Sequence, residues 1–282
     1  MSDPLEALRL PIPSLDPDPA FTTRLRARLE RALALPPGVV MTETSAKTRP
    51  ATAFWHGDVG YAWLSVPDLD RALAFYQAVL SWDVVAGSDS QGRQVTGRSP
   101  HLGLHGGAAR GTLHCCYAVE DIQAAVDRVR AAGGRAGEPS RAPYGLMADC
   151  TDDQGTVFAL YQPPDGVGSD PPATGGHGDL VYTTFEVVDS ARARAFYGVV
   201  LGWRFTPGGV EDGWQVDGVM TGLQGGHPEA TTLPMWRVDD LGAALERVRA
   251  AGGEAGEPQT RSYGLEALCA DDQGVRFYLG EL

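Results

Sequence analysis

The sequence predicts an α+β protein made of two tandem domains, on three observations. The chain repeats itself: Phe75-Tyr76 recurs as Phe196-Tyr197, Gly133-Gly134 as Gly252-Gly253, and Asp152-Asp153-Gln154-Gly155 as Asp271-Asp272-Gln273-Gly274. Within each copy, short stretches alternate apolar and polar residues as half-buried strands do, and two stretches carry helical spacing. The order is the same in both copies, βαβββ followed by βαβββ, which makes curved mixed sheets with helices on the outer face. A duplicated unit also lets one copy be read against the other. What repeats need only be scaffold, and what differs is where the chemistry can differ.

Residues 1–53 belong to neither copy. Asp18-Pro19 has the form of an N-cap and first helical residue. Phe21, Leu25, Leu29, Ala32 and Leu33 follow at helical spacing until Pro36-Pro37, so this extension is expected to hold one amphipathic helix over residues 19–34. The first domain is expected over 54–163, a Pro-, Gly- and Asp-rich linker over 164–178, and the second domain over 179–282. In the first copy, residues 60–66 alternate as a strand. Asp68 then caps a helix with Leu69, Ala72, Leu73, Tyr76, Val79 and Leu80 on its apolar face. Strand signals follow at 82–85, 93–96, 101–105 and 113–119. A second helix opens at Glu120-Asp121, turns Ile122, Ala125, Val126 and Val129 inward, and stops at Gly133-Gly134. Three more strand signals end at 156–161. The second copy keeps this order, its helices opening at Asp189 and Asp239-Asp240.

Composition narrows the function. The 282 residues suffice for two domains that each close a core. With 43% apolar and 21% charged residues the chain reads as a soluble globular protein. No apolar run approaches the roughly 18 residues of a membrane helix. No basic segment followed by an apolar one opens the chain, so no secretory signal is expected. A formal charge of −13 disfavours nucleic acid and anionic membranes as partners. None of the four cysteines forms a CxxC pair, and Cys150 and Cys269 fall at the same place in the two copies, which suits small buried side chains in a reducing cytoplasm. Gly106-Gly107 and Gly225-Gly226 do not open a helix in a GxGxxG pattern, and no GxSxG elbow occurs, so no cofactor is expected. The Asp-Asp pairs before Gly155 and Gly274 read as turn residues rather than as a catalytic carboxylate pair.

Together these residues carry a resemblance. A strand, a capping Asp, the Phe75-Tyr76 helix ending near Trp82, a strand leading to Asp121, a helix ending in Ala131-Ala132-Gly133-Gly134, and Asp152 three residues before Gly155 resemble the vicinal oxygen chelate superfamily. That superfamily includes glyoxalase I, extradiol dioxygenases, fosfomycin-resistance thiol transferases and bleomycin-binding proteins. A Gly-Leu…Gly turn in each copy, Gly103-Leu104 to Gly107 and Gly222-Leu223 to Gly226, makes the chain similar to tandem glyoxalase-like proteins of actinobacteria. The resemblance covers nearly everything past the extension. It implies that paired βαβββ units roll into a cup holding a divalent metal or a ligand. It further implies metal ligands, usually His and Glu, on the first, fourth, fifth and eighth strands of each domain. Those positions hold Tyr61, the neighbourhood of His105, His114 and Ala159 in the first copy, and Tyr182, Gln224, Leu233 and Tyr278 in the second. Tyrosine is not an ordinary ligand for such cations, and a histidine without a carboxylate falls short of the three or four protein ligands that zinc takes. No metal is expected in either cup.

Side chains two apart on a strand share a face. The first cup is therefore expected to be lined by Tyr61, Trp63, Ser65, His114, Cys116, Ala159 and Tyr161, with His105 nearby. An aromatic pocket with one imidazole suits a flat or partly apolar organic molecule. His114 reads as an acid–base or ligand-bonding group beside Tyr61, or as a neutral histidine bonded to Tyr61 or to a backbone carbonyl. The second cup is expected to present Tyr182, Thr184, Glu186, Leu233, Met235, Arg237, Arg276 and Tyr278. Glu186 with Arg237 or Arg276 reads as an ion pair closing the cup or as recognition of a polar ligand. Trp82, Trp203 and Trp236 read as core, and Trp214 as a rim residue. The expected function is metal-independent binding of an aromatic or partly apolar metabolite or antibiotic in the first cup. The alternative is a metal-free isomerase, cyclase or lyase using His114 and Tyr61, and a metal-dependent glyoxalase or dioxygenase is least favoured. A small organic molecule is the expected partner of a monomer or homodimer.

Overall fold

The computed structural model describes residues 56–87, 90–98, 100–142, 145–164 and 175–282. Pro50–Leu282 form one compact unit. The expected extension helix over 19–34 lies outside the described residues, as does most of the expected linker.

The first domain runs β1 (Val59–Ser65), α1 (Leu69–Leu80), β2 (Val84–Ala86), β3 (Gly92–Val95), β4 (His101–His105), β5 (Thr112–Ala118), α2 (Ile122–Ala131), β6 (Arg135–Ala136), β7 (Ser140–Ala142), β8 (Gly145–Thr151) and β9 (Val157–Gln162). The second repeats it as β10 (Leu180–Glu186), α3 (Ser190–Leu201), β11 (Phe205–Pro207), β12 (Gly213–Val216), β13 (Thr221–Gln224), β14 (Thr231–Arg237), α4 (Leu241–Ala250), β15 (Glu254–Ala255), β16 (Gln259–Arg261), β17 (Gly264–Ala270) and β18 (Arg276–Glu281). Each domain is a nine-stranded mixed sheet, ordered β2-β3-β4-β1-β5-β9-β8-β6 and β11-β12-β13-β10-β14-β18-β17-β15. β1 lies parallel to β4 and antiparallel to β5, which joins the two βαβββ units into one sheet. One strand expected after α2 is broken in two: β6 and β7 both pair with β8. Pro139 falls between them and has no N–H for the ladder, and Pro258 falls likewise between β15 and β16.

All four described helices open on an aspartate, Asp68, Asp121, Asp189 and Asp240, whose carboxylate accepts a backbone N–H of the first turn. Their apolar stripes cover one face of each sheet. α1 lies against α4 and α2 against α3, so each domain's helices close the other's core. The result is one apolar cluster shared by both domains, from Leu64, Tyr76 and Trp82 to Tyr197, Trp236 and Phe277. Phe75 and Tyr76 pack on Phe277, and Trp82 on Trp236 at 4.9 Å. The mirrored contacts are Phe196 and Tyr197 on Phe158, and Trp203 on Tyr117.

The repeated signatures are cross-domain joints. Tyr197 donates to the Asp152 carboxylate at 3.1 Å, and Tyr76 to Asp271 at 3.4 Å. The Gln154 side chain bonds both the backbone N–H and carbonyl of Asp189, and Gln273 does the same for Asp68. Arg192 pairs with Asp153 and Arg71 with Asp272. The Gly-Gly stops divide their work. Gly133 and Gly252 take φ near +89° and +86°, a region costly for side chains. A Cβ on Gly134 would sit 2.9 Å from Phe196 and one on Gly253 2.8 Å from Phe75. The second glycine is therefore where the other domain's ring fits. Trp82 and Trp203 donate their indole N–H groups across the joint to Gly178 and Gly57 carbonyls. Trp214, expected at a rim, instead lies under the Arg194 guanidinium of α3 at 3.6 Å, bonded to Asp212.

Candidate functional site

The sheet face turned away from the helices forms the first cup. On β1, Ala62 and Leu64 are buried under the helices, while Tyr61 and Trp63 join a separate small cluster with Cys116, Ala118, Ala159, Tyr161 and Met147. β5 alternates in the same sense, with Leu113, Cys115 and Tyr117 in the shared core. The register sets His101, Tyr61, Cys116 and Ala159 side by side across β4, β1, β5 and β9. One step along, Gly103, Trp63 and His114 align, and one further, His105, Ser65 and Thr112. A Cβ at Gly103 would collide with the Tyr61 hydroxyl, so this glycine is what lets the phenol lie flat over β4.

His114 stacks on Trp63, the rings 4.9 Å apart and 7° from parallel. Its Nδ1 is buried and has no hydrogen-bond partner among the described residues. Burial, and then the charge of His105, hold the imidazole's pKa down to about 4. His114 is therefore neutral at pH 7, a hydrogen-bonding group more than a base. Burial pushes the Cys116 thiol up, which keeps it protonated.

The second cup is built on the same register with other side chains. Tyr182 aligns with Met235, which pairs Tyr278, and Thr184 aligns with Gly222 and Leu233. The sequence left two arginines open as the partner of Glu186. The structure gives it Arg276, through two bonds of 2.7 Å, with His227 Nδ1 at 3.5 Å. Arg237 pairs with Asp239 instead, because it stands at the far end of β14. Sequence reasoning missed a second buried carboxylate on this face. Glu266 of β17 accepts from Arg261 and from the Tyr263 hydroxyl, both at 2.6 Å. Comparing the copies position by position would have found it, since Met147 occupies its place in the first domain. Gln215 donates to the Tyr182 hydroxyl.

A cleft of about 390 Å³ lies between the domains. Thr112 and Thr231, equivalent residues of the two copies, meet there at 3.1 Å, and Arg110 pairs with Glu229 above them. Neither His114 nor Tyr61 borders it; Thr112 and Val157 line it from the first domain, and Leu233 and Arg276 from the second.

Neither cup offers the donor set of a divalent cation. The implied ligand positions hold Tyr61, the neighbourhood of His105, His114 and Ala159 in one and Tyr182, Gln224, Leu233 and Tyr278 in the other. Among the described residues no three His, Cys, Asp or Glu side chains come together to hold a metal. The residues present do not fit one.

Paired βαβββ units forming cups on a mixed sheet define the glyoxalase-like class. A family profile described as a glyoxalase-like domain matches residues 61–160. The chain is 34% identical over 131 residues to ethylmalonyl-CoA/methylmalonyl-CoA epimerase of Cereibacter sphaeroides, a match covering 38% of this chain and 98% of that protein. Among solved structures it is similar to a Mn(II)-bound glyoxalase from Novosphingobium aromaticivorans, with TM-score 0.63 and 17% identity over 82% of this chain and 83% of the other. It is also similar to 2,2',3-trihydroxybiphenyl 1,2-dioxygenase from Sphingomonas wittichii strain RW1, with TM-score 0.60 and 17% identity over 80% and 90%. The chain belongs to the vicinal oxygen chelate superfamily.

Proposed function

We propose that the first cup binds a small organic molecule with a flat, partly apolar body, such as a metabolite or antibiotic, without a metal. The observation that carries this reading is the His114–Trp63 stack within a separate aromatic cluster on the sheet face turned from the helices. Tyr61, Tyr161 and Met147 add apolar walls that suit a ring. Four free, buried cysteines favour a reducing, cytoplasmic setting.

A second reading has its own support. The Cereibacter sphaeroides relative, matched over nearly its whole length, is an epimerase. It favours an isomerase; with the residues of the first cup this would be a metal-free one in which His114 and Tyr61 move a proton on the substrate. Against it, a base with a pKa of about 4 removes carbon-bound protons poorly. Binding is therefore the stronger reading.

Protein purified without chelator is expected to carry less than about a tenth of an equivalent of divalent metal; a full equivalent overturns the metal-free reading. 2-Naphthol, a flat probe with one hydroxyl, is expected to bind saturably in calorimetry. Trp63→Ala and His114→Ala are each expected to weaken it about tenfold or more. A titration unchanged in both variants removes the first cup from binding.

A further inference from the structure

The first domain acts as a control for the second. Where the second cup has Glu186, Arg276 and His227, the equivalent positions of the first hold Ser65, Val157 and Ala108. Where it has Glu266 and Arg261, the first has Met147 and Ala142. The same fold closes without either ion pair, so the scaffold does not require them. Taking two carboxylates out of water is costly, and a neutral replacement of similar size is often tolerated or stabilising. These pairs therefore ask for a reason outside folding.

Their arrangement indicates the reason. The carboxylates are sealed, with the Glu186 and Glu266 side chains 6% and 8% exposed, while Arg276 and Arg261 are 44% and 38% exposed. Each guanidinium has five N–H donors; Arg276 spends two on Glu186, and Arg261 spends one on Glu266 and one on the Gln259 side chain. The accessible part of each pair is thus its positive, donor-rich edge, held in place from behind. Tyr278 stands between them, its phenol raised in pKa by burial and then by Glu186 and Glu266, so it stays protonated. Its hydroxyl has no hydrogen-bond partner among the described residues. Leu233 and Met235 form an apolar floor beside it. Arg276 and Leu233 also line the interdomain cleft.

We propose that the second cup is a separate site for an organic acid, its carboxylate held by Arg276 and Tyr278 and its apolar body lying over Leu233 and Met235. Arginine edges carry donors and no acceptor, which selects an oxyanion over a neutral polar group. The apolar floor selects an organic one over an inorganic one.

The test uses the full chain with benzoate, benzamide and inorganic phosphate, followed by chemical-shift titration. Benzoate is expected to bind saturably at millimolar concentration, and benzamide and phosphate at least about tenfold more weakly. The double variant Glu186→Ser with Arg276→Val, which installs the first domain's residues, is expected to lose benzoate binding while its Tm stays within about 2 °C of the parent. Trp63→Ala is expected to leave the benzoate-induced shifts of second-cup resonances unchanged, which keeps this site separable from the first cup. Equal binding of benzoate and benzamide, or of benzoate and phosphate, overturns the proposal. So does an absence of saturation. A fall in Tm of more than about 5 °C in the double variant overturns it too, by making the pair structural.

Discussion

At position 114 the fifth strand lays an imidazole flat on Trp63, and burial sets its protonation. The unfolded chain takes up a proton at this histidine near pH 6.5, and the folded chain only near pH 4. The depressed folded pKa contributes stability that is fully present above the unfolded value and is lost as pH falls through the window to about 4. The contribution is at most about 3 kcal/mol. His114→Phe keeps the stack and removes the titration. Its denaturation free energy is expected to fall less than the parent's between pH 6.5 and pH 4, and parallel curves would count against a buried neutral imidazole. Position 114 was legible in the sequence, because β5 alternates and Asp121 marks where the helix begins. The absence of a partner for Nδ1 was not, since it depends on what neighbouring strands bring within reach.

Among the elements, the turn of Asp152 to Gly155 changes meaning most between sequence and structure. Its composition marks a turn, and the turn exists: Asp152 Oδ1 accepts the Gln154 and Thr156 backbone N–H groups. The same turn is also a clasp on the other domain's helix, through Tyr197, Asp189 and Arg192. Local spacing cannot reveal a partner 45 residues away. Tyr197→Phe removes a buried bond to a carboxylate and is expected to cost about 1–3 kcal/mol, lowering Tm by roughly 2–8 °C. Tyr76→Phe, with its longer 3.4 Å contact, is expected to cost less. Equal effects of the two in thermal melts would argue against the distance as the cause. The exposed Arg71 and Arg192 pairs add little, as surface ion pairs do.

For the whole molecule, the shared core decides how it unfolds. Helices α1 to α4 bury their stripes against one another as well as against their sheets, and one apolar cluster spans both domains. The core is thus shared, where the sequence suggested that each copy is long enough to close its own. Pro50–Leu282 is therefore expected to unfold in one cooperative step, with tryptophan fluorescence and far-ultraviolet dichroism giving coincident midpoints. Two separated transitions would show domains that stand independently.

The sequence by itself determined the duplication, the βαβββ order, the aspartate caps and the alternation that divides each strand between core and cup. These are local and periodic, and hydrophobic spacing with capping chemistry specifies them without distant partners. The tertiary structure alone decided that the repeated Phe-Tyr, Gly-Gly and Asp-Asp-Gln-Gly signatures meet across the domain joint. It alone gave Glu186 to Arg276 rather than Arg237, and set Glu266 under Arg261 and Tyr263. Those outcomes depend on strand register and on the docking of two sheets through their helices. Register and docking are fixed by packing summed over the whole chain, which no single stretch of it encodes.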